Sequence, residues 1–219
     1  MLPRILEPEV MDTDQEAVEY NTMDHSAVNR VFVDDLLRLA SGGARVLDVG
    51  TGTALIPLEL CRRGQQWHVV AVDLAKAMLE VAAQNVAAAG LGSAIELQLV
   101  DAKRLPFEDG EFPVVMSNSI IHHIPDPADC LREMARVVSP KGGLLFVRDL
   151  LRPTDQGQLQ HLVQTYAGDS DVRQQKMFAE SLHAALTLDE VRSLADRFKI
   201  GANCIQPTSD RHWTLAWQR

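Results

Sequence analysis

One short stretch, residues 45–60, changes its pattern twice. An apolar run ends at Asp48, glycines follow at Gly50 and Gly52, and apolar residues then resume at helical spacing. This pattern predicts a strand, a tight turn and a helix. Glycine lets a turn adopt positive φ angles and approach a ligand closely, while the helix that opens after Thr53 presents unpaired N–H groups to it. The stretch therefore predicts a binding site for a nucleotide-like cofactor.

The acidic residues near this turn indicate which cofactor it binds. Asp48 stands immediately before the glycines, where it would repel a pyrophosphate but can hold an ammonium group. Ala54 occupies the third glycine position of the dinucleotide-binding fingerprint, so the match to that motif is poor. Asp73 ends a second strand-like run and can accept both hydroxyls of a ribose, and Asp101 ends a third and can accept from an adenine amino group. Ammonium, ribose and adenine partners in this order describe S-adenosylmethionine, which has no phosphate.

Five motifs follow one another in a fixed order between about residues 40 and 150. They are Val46–Thr53, Val72–Met78, Asp101–Phe107, Ser117–Pro127 and Arg136–Gly143. With them the chain resembles the class I S-adenosylmethionine-dependent methyltransferases, in the small-molecule branch that includes the ubiquinone and menaquinone C-methyltransferases. The resemblance implies an enzyme that transfers a methyl group from S-adenosyl-L-methionine to a small-molecule acceptor.

The same resemblance implies the fold. We expect an α/β, Rossmann-like sheet of seven strands, mostly parallel, with a C-terminal antiparallel strand, helices on both faces, and a helical cap at the N-terminus and over residues 154–185. A length of 219 residues with 46% hydrophobic residues fits one domain. Its expected parts are residues 1–40 as arm and lid helix, 41–150 as cofactor-binding core, 151–185 as substrate cap, and 186–219 as final helix and hairpin.

The charge of the chain argues against nucleic acid as a partner. The net charge is −9 and the 21 Lys and Arg residues form no long run, whereas a phosphate backbone needs clustered cations. Cys61, Cys130 and Cys204 lie far apart, so reduced core cysteines are expected. No apolar run approaches the roughly 20 residues of a membrane span, and the N-terminus does not resemble a signal peptide. We therefore expect a cytoplasmic enzyme acting on a small molecule, and leave a homodimer open.

The resemblance assigns the cofactor contacts residue by residue. The segment before the first strand lies over cofactor and substrate in this family, and it contains Tyr20. Further candidates in that segment are Asn21, Met23, Asp24, His25 and Asn29. Met78 also fits the role of core filler, which is typical of a Met on an apolar helix face. The expected cofactor-binding residues are Asp48, Gly50, Thr51, Gly52, Thr53, Asp73, Leu74, Met78, Asp101, Ala102, Asn118, His123 and Tyr20.

The loop after the fourth predicted strand carries the candidate chemistry. That strand delivers Asn118 to the carboxyl edge of the sheet, where open parallel sheets bind ligands. The loop lacks the Pro-Pro-aromatic clamp of enzymes that methylate bases, so base methylation is disfavoured. His122 and His123 are adjacent, and we expect one to be held inward and His122 to face the substrate as a base. His25 is a second candidate base and Asp149 an orienting partner; the sequence offers no reliable set of convergent carboxylates, so no metal is expected.

Residues outside the motifs are expected to contact the substrate. Arg148 ends the fifth strand beside Asp149, where buried charges must be paired or used, and a mutual ion pair is the alternative. Arg211 lies at the final turn, where a solvated hairpin is equally expected. The expected substrate-binding residues are Met23, Arg148, Tyr166, His183 and Arg211.

Several local patterns complete the prediction. Residues 1–20 are interpreted as a loosely held arm, and a helix capped by Asp24 or Ser26 follows. Two helices are expected within residues 154–183, and Thr187 with Glu190 predicts a capping box for the final helix. A closing antiparallel pair is expected from residues 200–205 and 212–217.

Three other functions remain open. An NAD-dependent oxidoreductase would need Asp73 to bind a nicotinamide ribose beside a non-ideal glycine turn. A binding module without catalysis would keep the fold and lose cofactor residues, but Asp48, Gly50, Gly52, Asp73 and Asp101 are all present. Aminopropyl transfer from the same cofactor has no feature in its favour.

Overall fold

Helices and strands alternate along the chain as the apolar pattern predicts. The computed structural model describes residues 2–7, 12–40, 42–64 and 66–219. Within these residues it contains eight α-helices and seven strands. In chain order they are α1 Asp14–Thr22, α2 Ser26–Leu39, β1 Arg45–Val49, α3 Leu55–Arg62, β2 His68–Asp73, α4 Lys76–Ala88, β3 Ile95–Leu99, β4 Val114–Asn118, α5 Ala128–Val137, β5 Leu144–Leu150, α6 Gln156–Ala167, α7 Val172–Ala184, α8 Leu188–Asp196, β6 Ile205–Pro207 and β7 His212–Gln218.

The strands form a seven-stranded sheet in the order β3-β2-β1-β4-β5-β7-β6. β1 pairs in parallel with β2 and β4, β2 pairs in parallel with β3, and β6 pairs antiparallel with β7. The Rossmann-like, mostly parallel sheet with an antiparallel C-terminal pair is thus confirmed. The strand order reverses between β1 and β4, and such a reversal marks the ligand site of open α/β sheets.

The chain divides into two compact units. The larger unit consists of Val10–Asn118, Asp129–Val147 and Ala216–Arg219, and the smaller unit of Met1–Glu9, Ser119–Ala128 and Arg148–Leu215. The expected single domain, with its four internal segments, stays a prediction.

The core of the larger unit forms on uninterrupted apolar strands. β1 buries every residue after Arg45, as expected of a parallel strand with both faces covered. Phe32 of α2 packs edge-on against Phe146 with ring centroids 5.0 Å apart, and both side chains are buried. Trp67 and Met116 complete this core. The turn that follows β1 is therefore anchored in the best-packed part of the unit.

Helix α1 packs at the start of α4 in the larger unit. Ala17 belongs to a small buried cluster with Ala75, Ala77 and Met78, against which Tyr20 also packs. The small side chains allow the two helices to approach closely. This contact holds the segment before β1 in place, and it supports the interpretation of Met78 as core filler.

The smaller unit is built around leucines of α6 and α7. Leu159, Leu162 and Leu182 form a buried cluster with Leu150, and Phe178 packs against it. Further residues of this cluster are Ala185, Leu2, Val163 and Ala179. The two helices predicted within residues 154–183 are present, and their role as a substrate cap stays a prediction.

Side-chain caps begin the helices of the smaller unit. Asp155 and Asp171 accept backbone hydrogen bonds at the starts of α6 and α7. Thr187 and Glu190 form the predicted capping box of α8. Such caps can be predicted from the sequence because each depends on residues only two or three positions apart.

Two local predictions were wrong. Residues 2–7 and 14–22 are not a loose arm, because the Leu2 and Ile5 amides donate to Thr154 O and His183 O, and α1 has its own capping box. The rest of the predicted arm includes residues 1 and 8–11, which lie outside the described residues. In the closing pair, residues 202–204 form a 3-10 turn and only Ile205–Pro207 pairs as a strand.

Candidate active site

The turn after β1 adopts the backbone that its glycines permit. Gly50 and Gly52 have φ angles of +75° and +55°, in the left-handed region. The Gly50 and Thr51 amides both donate to Val72 O, at 2.9 and 3.0 Å, which ties the turn to β2. Ala54 is also left-handed, with φ of +63°, immediately before α3. The predicted strand–turn–helix is therefore present. Its last left-handed position is occupied by Ala54 and not by a glycine.

Asp73 joins the end of β2 to this turn. Its Oδ2 accepts from the Gly52 amide at 2.7 Å and its Oδ1 accepts from the Ala75 amide at 2.9 Å. A carboxylate offers about four lone-pair sites, so one such group can accept from several donors at once. Asp73 thus has a structural role as well as its predicted binding role.

A pocket lies at the carboxyl ends of β1 and β4 in the larger unit. Its empty space is about 320 Å³ when the part that is open to solvent is included. Its position matches the reversal of strand order between those two strands. The lining residues are Tyr20, Asn29, Asp48, Gly50, Thr51, Thr53, Leu55, Ile56 and Asn118.

Asp48 is the acidic group of this pocket. Only 2% of the residue is exposed, and this burial raises the pKa of its carboxyl group to about 7, with a smaller contribution from the charge of Asp73. A cation beside Asp48 would reverse that shift, since an opposite charge favours the ionised form. The position is therefore energetically suited to a ligand ammonium group.

Tyr20 and His25 stack on one another in the same unit, with ring centroids 4.6 Å apart and an interplanar angle of 29°. Burial, aided by Asp73 and Asp48, raises the pKa of Tyr20 to about 12, so its hydroxyl stays protonated. Burial lowers the pKa of His25, so its ring is neutral at pH 7. His25 Nε2 is buried and has no hydrogen-bond partner among the described residues.

The residues of the pocket fit the predicted cofactor. The Thr53 hydroxyl is buried with no hydrogen-bond partner in the part of the chain that the structure describes, so it can bond a polar ligand group. Asp48 is a desolvated carboxyl group suited to an ammonium, and the Asp73 carboxylate, which can serve ribose hydroxyls, accepts from the amide of the glycine turn. The described residues that line the pocket include no Lys or Arg, and a cofactor without phosphate needs none.

The structure brings six of the predicted cofactor residues together in this pocket. Asp73 accepts a hydrogen bond from the glycine turn beside it. Leu74 is 40% exposed beside Asp73, and Asp101, followed by Ala102, accepts from the Lys103 amide at 2.9 Å. Sequence reasoning missed Leu55 and Ile56, which also line the pocket. Their apolar side chains carry no signal that separates them from core residues.

A second group of polar residues is buried in the smaller unit. His122 is 3% exposed and its Nδ1 lies 2.5 Å from Asp149 Oδ1, while the Ile121 and Leu150 amides each donate to Asp149 at 2.6 Å. Burial lowers the pKa of His122, but the Asp149 carboxylate outweighs it and the net shift is upward. Burial raises the pKa of Asp149, and His122 more than compensates, so that pKa is lowered. Asp149 thus holds the His122 ring in place, while the catalytic roles of both residues stay predictions.

Glu7 completes this group from the N-terminal segment. Its Oε1 lies 3.4 Å from His122 Nε2 and 2.9 Å from His123 Nδ1, and the two imidazole rings are 4.2 Å apart. Burial raises the pKa of Glu7, but His123 and His122 outweigh it and lower the pKa overall. Ser181 Oγ donates to Glu7 at 3.2 Å. Sequence reasoning placed Glu7 in a loose arm, because nothing local signals this long-range contact.

Arg4 fastens the N-terminal segment inside the smaller unit. Its Nε donates to Ala184 O at 2.7 Å and its Nη1 to Pro125 O at 2.9 Å. Its Nη2 donates to Ile124 O at 2.9 Å and to His122 O at 3.2 Å. One planar guanidinium thus satisfies four carbonyl groups.

We expect Arg4→Lys to lower the free energy of unfolding by about 2 to 3 kcal/mol, because an ammonium cannot reach four carbonyls in this geometry and leaves some unpaired. Urea unfolding at pH 7 measures the loss. Arg62→Lys, at an exposed position of α3, is the matched control and should leave the midpoint unchanged. Equal midpoints for Arg4→Lys and the parent would contradict the structural role of this residue.

The predicted substrate-binding residues lie in different surroundings. Arg148 is buried and donates to Thr214 Oγ1 at 2.8 Å. Arg211 lies 3.3 Å above the ring of Tyr166, which is 44% exposed. Arg148, Arg211 and His183 all belong to the smaller unit. Met23 is the C-cap of α1 in the larger unit. Their contact with a substrate stays a prediction.

Comparison with known proteins agrees with this site. Residues 47–146 match the family model described as a methyltransferase domain. The sheet order and the glycine turn agree with this match, so residues 47–146 are similar to a methyltransferase domain.

Curated relatives are similar to about half of the chain. The demethylmenaquinone methyltransferase of Desulfitobacterium hafniense is 35% identical over 119 residues, covering 54% of this chain and 47% of the relative. The ubiquinone biosynthesis O-methyltransferase of Xanthomonas oryzae pv. oryzae is 38% identical over 133 residues, covering 58% and 52%. The chain therefore spans about half the length of these relatives. A solved structure of a candidate S-adenosyl-L-methionine-dependent methyltransferase from Methanococcus maripaludis superposes with a TM-score of 0.72 over 96% of each chain at 16% identity, which shows the shared fold.

None of the helices in the described ranges combines the length and the apolar composition that crossing a bilayer requires.

Proposed function

We propose that the chain is an enzyme that transfers the methyl group of S-adenosyl-L-methionine to a small-molecule acceptor. The observation that carries the proposal is the pocket beside the glycine turn, where a desolvated carboxylate lies at the end of β1 and a second carboxylate ends β2. The names of the two relatives, which concern quinone biosynthesis, support an acceptor of low molecular mass.

Different residues of the larger unit would bind different parts of the cofactor. Asp48 would hold the ammonium of the amino-acid moiety, Asp73 the ribose hydroxyls and Asp101 the adenine amino group. Tyr20 would close the pocket from α1. The bound cofactor supplies an electrophilic methyl group, so the protein needs to place the acceptor in line with it and exclude water. An acceptor with an O–H or N–H group must also lose a proton.

His25 is the proton acceptor that the geometry of the larger unit favours. Its ring is neutral at pH 7 and its buried Nε2 has no hydrogen-bond partner among the described residues. It stacks on Tyr20, which lines the pocket. Both nitrogens of His122, by contrast, face carboxylates.

His25→Phe is the sharpest variant for this role, because the new ring preserves stacking on Tyr20 and lacks a nitrogen. We expect kcat to fall about 100-fold or more, with little change in the dissociation constant of S-adenosyl-L-methionine. In the parent, kcat should fall only as the pH drops below the lowered pKa of His25, and the variant should lack that decline. Stopped-flow or endpoint assays of S-adenosylhomocysteine from pH 5 to 8 measure both effects. An unchanged kcat in the variant would remove His25 from the mechanism.

Two measurements test the proposed function. Calorimetry should show one S-adenosyl-L-methionine bound per chain and no competition by NAD; displacement by NAD would favour the oxidoreductase. Labelled methyl donor should then be incubated with an extract of the producing cells and the products separated by size. We expect label in the low-mass fraction, whereas label in protein or nucleic acid would contradict the small-molecule acceptor. A cytoplasmic location and a homodimer stay predictions.

A further inference from the structure

Glu7, His122 and His123 form a partly buried cluster of three potential metal ligands in the smaller unit. One ligand atom from each residue lies within 4.8 Å of the other two. Residues 122 and 123 are held together by the 3-10 turn after β4, and Glu7 reaches them from the N-terminal segment. We call these three residues the His-Glu cluster.

We propose that the His-Glu cluster binds a divalent first-row transition-metal ion, with zinc(II) as the best-matched member. This proposal does not depend on the proposed methyl transfer.

The distances within the cluster are those of atoms that can share one ion. Glu7 Oε1 lies 3.4 Å from His122 Nε2 and 2.9 Å from His123 Nδ1. Two ligands that each bind zinc at about 2.1 Å are separated by roughly 3 to 4 Å. The two histidine nitrogens lie within 4.8 Å of one another, and any excess over this range must close when an ion binds. Ring rotation of His123, which is the more exposed of the two imidazoles, can supply that change.

One nitrogen in the cluster is otherwise unexplained. His123 Nδ1 is buried and, despite its 2.9 Å distance to Glu7, the contact lacks hydrogen-bond geometry, since this atom has no hydrogen-bond partner in the described part of the chain. A buried polar atom without a partner is destabilising. A metal ion between Nδ1 and the carboxylate would satisfy both atoms.

The groups around the cluster are those that orient metal ligands. When His122 is neutral and Nδ1 donates to Asp149, Nε2 carries the lone pair that a metal requires, so a bound ion would take the place of the proton on Nε2. Ser181 donates to the carboxylate of Glu7. In metal sites, a ligating histidine usually donates to a carboxylate, and a ligating carboxylate usually accepts from a nearby donor.

The donor set selects among ions. Two imidazoles with one carboxylate suit zinc and other first-row transition metals, and three protein ligands leave a coordination position open. Magnesium and calcium prefer oxygen ligands, so neither should bind well here. The alternative is that the cluster is only an ion-pair network that fastens the N-terminal segment.

Metal binding to the full chain separates these alternatives. The protein is treated with a chelator, dialysed and titrated with Zn²⁺ by calorimetry and with Co²⁺ by visible absorption. We expect one ion per chain, a ligand-field absorption band for Co²⁺ with displacement by Zn²⁺, and no comparable binding of Mg²⁺. A chain that binds neither ion, or that binds Mg²⁺ equally well, overturns the proposal.

Variants locate the ion. Glu7→Gln and His123→Gln should each weaken Zn²⁺ binding at least tenfold, and His161→Gln, at an exposed position of α6, should leave it unchanged. Ser181→Ala retains all three ligands and should weaken binding by about tenfold while circular dichroism and Tm show an intact fold. Undiminished binding in Glu7→Gln and His123→Gln, or equal loss in His161→Gln, would place the ion elsewhere and overturn the assignment.

Discussion

The Asp48→Asn variant is expected to be more stable than the parent at pH 8 and to bind S-adenosyl-L-methionine at least tenfold more weakly. Burial raises the pKa of the Asp48 carboxyl group to about 7 in the free protein, so ionising it at pH 8 opposes folding. The neutral amide removes that charge and should raise the free energy of unfolding by on the order of 3 kcal/mol. It also removes the partner of the ligand ammonium, which is worth about 1.5 to 3 kcal/mol.

The sign of the pH dependence follows from the raised pKa. The folded parent keeps the Asp48 proton up to about pH 7, whereas the unfolded chain loses it near the ordinary value of 3.8. The stability of the parent therefore falls between about pH 4 and pH 7, and the advantage of the variant is complete above pH 7. Cofactor affinity changes in the opposite sense, because it rises as Asp48 ionises from pH 6 to pH 8.

Thermal unfolding and calorimetry at pH 5 and pH 8 test both effects. We expect the variant to melt roughly 6 to 12 °C above the parent at pH 8 and nearer to it at pH 5. Asp196→Asn makes the same substitution at an exposed position of α8 and should change neither quantity. A variant that melts no higher, and binds the cofactor as tightly as the parent, would show that Asp48 is not the ammonium partner.

Asp149→Asn is expected to lower the free energy of unfolding more than any other substitution proposed for the smaller unit. Asp149 accepts from His122 Nδ1 and from the amides of Ile121 and Leu150, and only 1% of it is exposed. An Asn has one acceptor oxygen, so its amide hydrogens would face a donor while His122 loses its counter-charge. Breaking a buried pair of this kind costs about 3 to 5 kcal/mol.

Urea unfolding at pH 7 measures this loss, and Asp155→Asn is the matched control. Asp155 is the exposed N-cap of α6, where Asn caps as well as Asp does. We expect the control to unfold at the parental midpoint and Asp149→Asn to unfold at a clearly lower urea concentration. If both variants keep the parental midpoint, the buried bonds of Asp149 contribute nothing to stability.

Short-range patterns in the sequence predicted much of the fold. The strand–turn–helix around Gly50 and Gly52 is present because only glycine adopts those φ angles without strain. The capping box of Thr187 and Glu190 formed as predicted, since both partners lie within one helical turn. The residues 200–204 did not form the predicted strand, because an apolar run alone does not distinguish a strand from an irregular buried segment.

Contacts between distant residues were not predictable in the same way. The sequence placed Asp48 and Asp73 at strand ends, but it did not show that Asp73 would hold the Gly52 amide or that burial would raise the pKa of Asp48. It identified His122, His123 and Asp149 as a group of interest. It gave no sign that Glu7, more than a hundred residues away, would lie against both histidines.

The sequence by itself determined the strand, glycine turn and helix of residues 45–60 and the acidic residues near the ends of the first three strands, because periodicity and backbone preference act over a few residues. Only the tertiary structure decided how these groups are solvated and paired. Burial and ion pairing depend on which distant segments pack together. They set the charge states of Asp48 and His25 and the ion-pair partners of Glu7. The chemistry of both proposed sites rests on those long-range contacts.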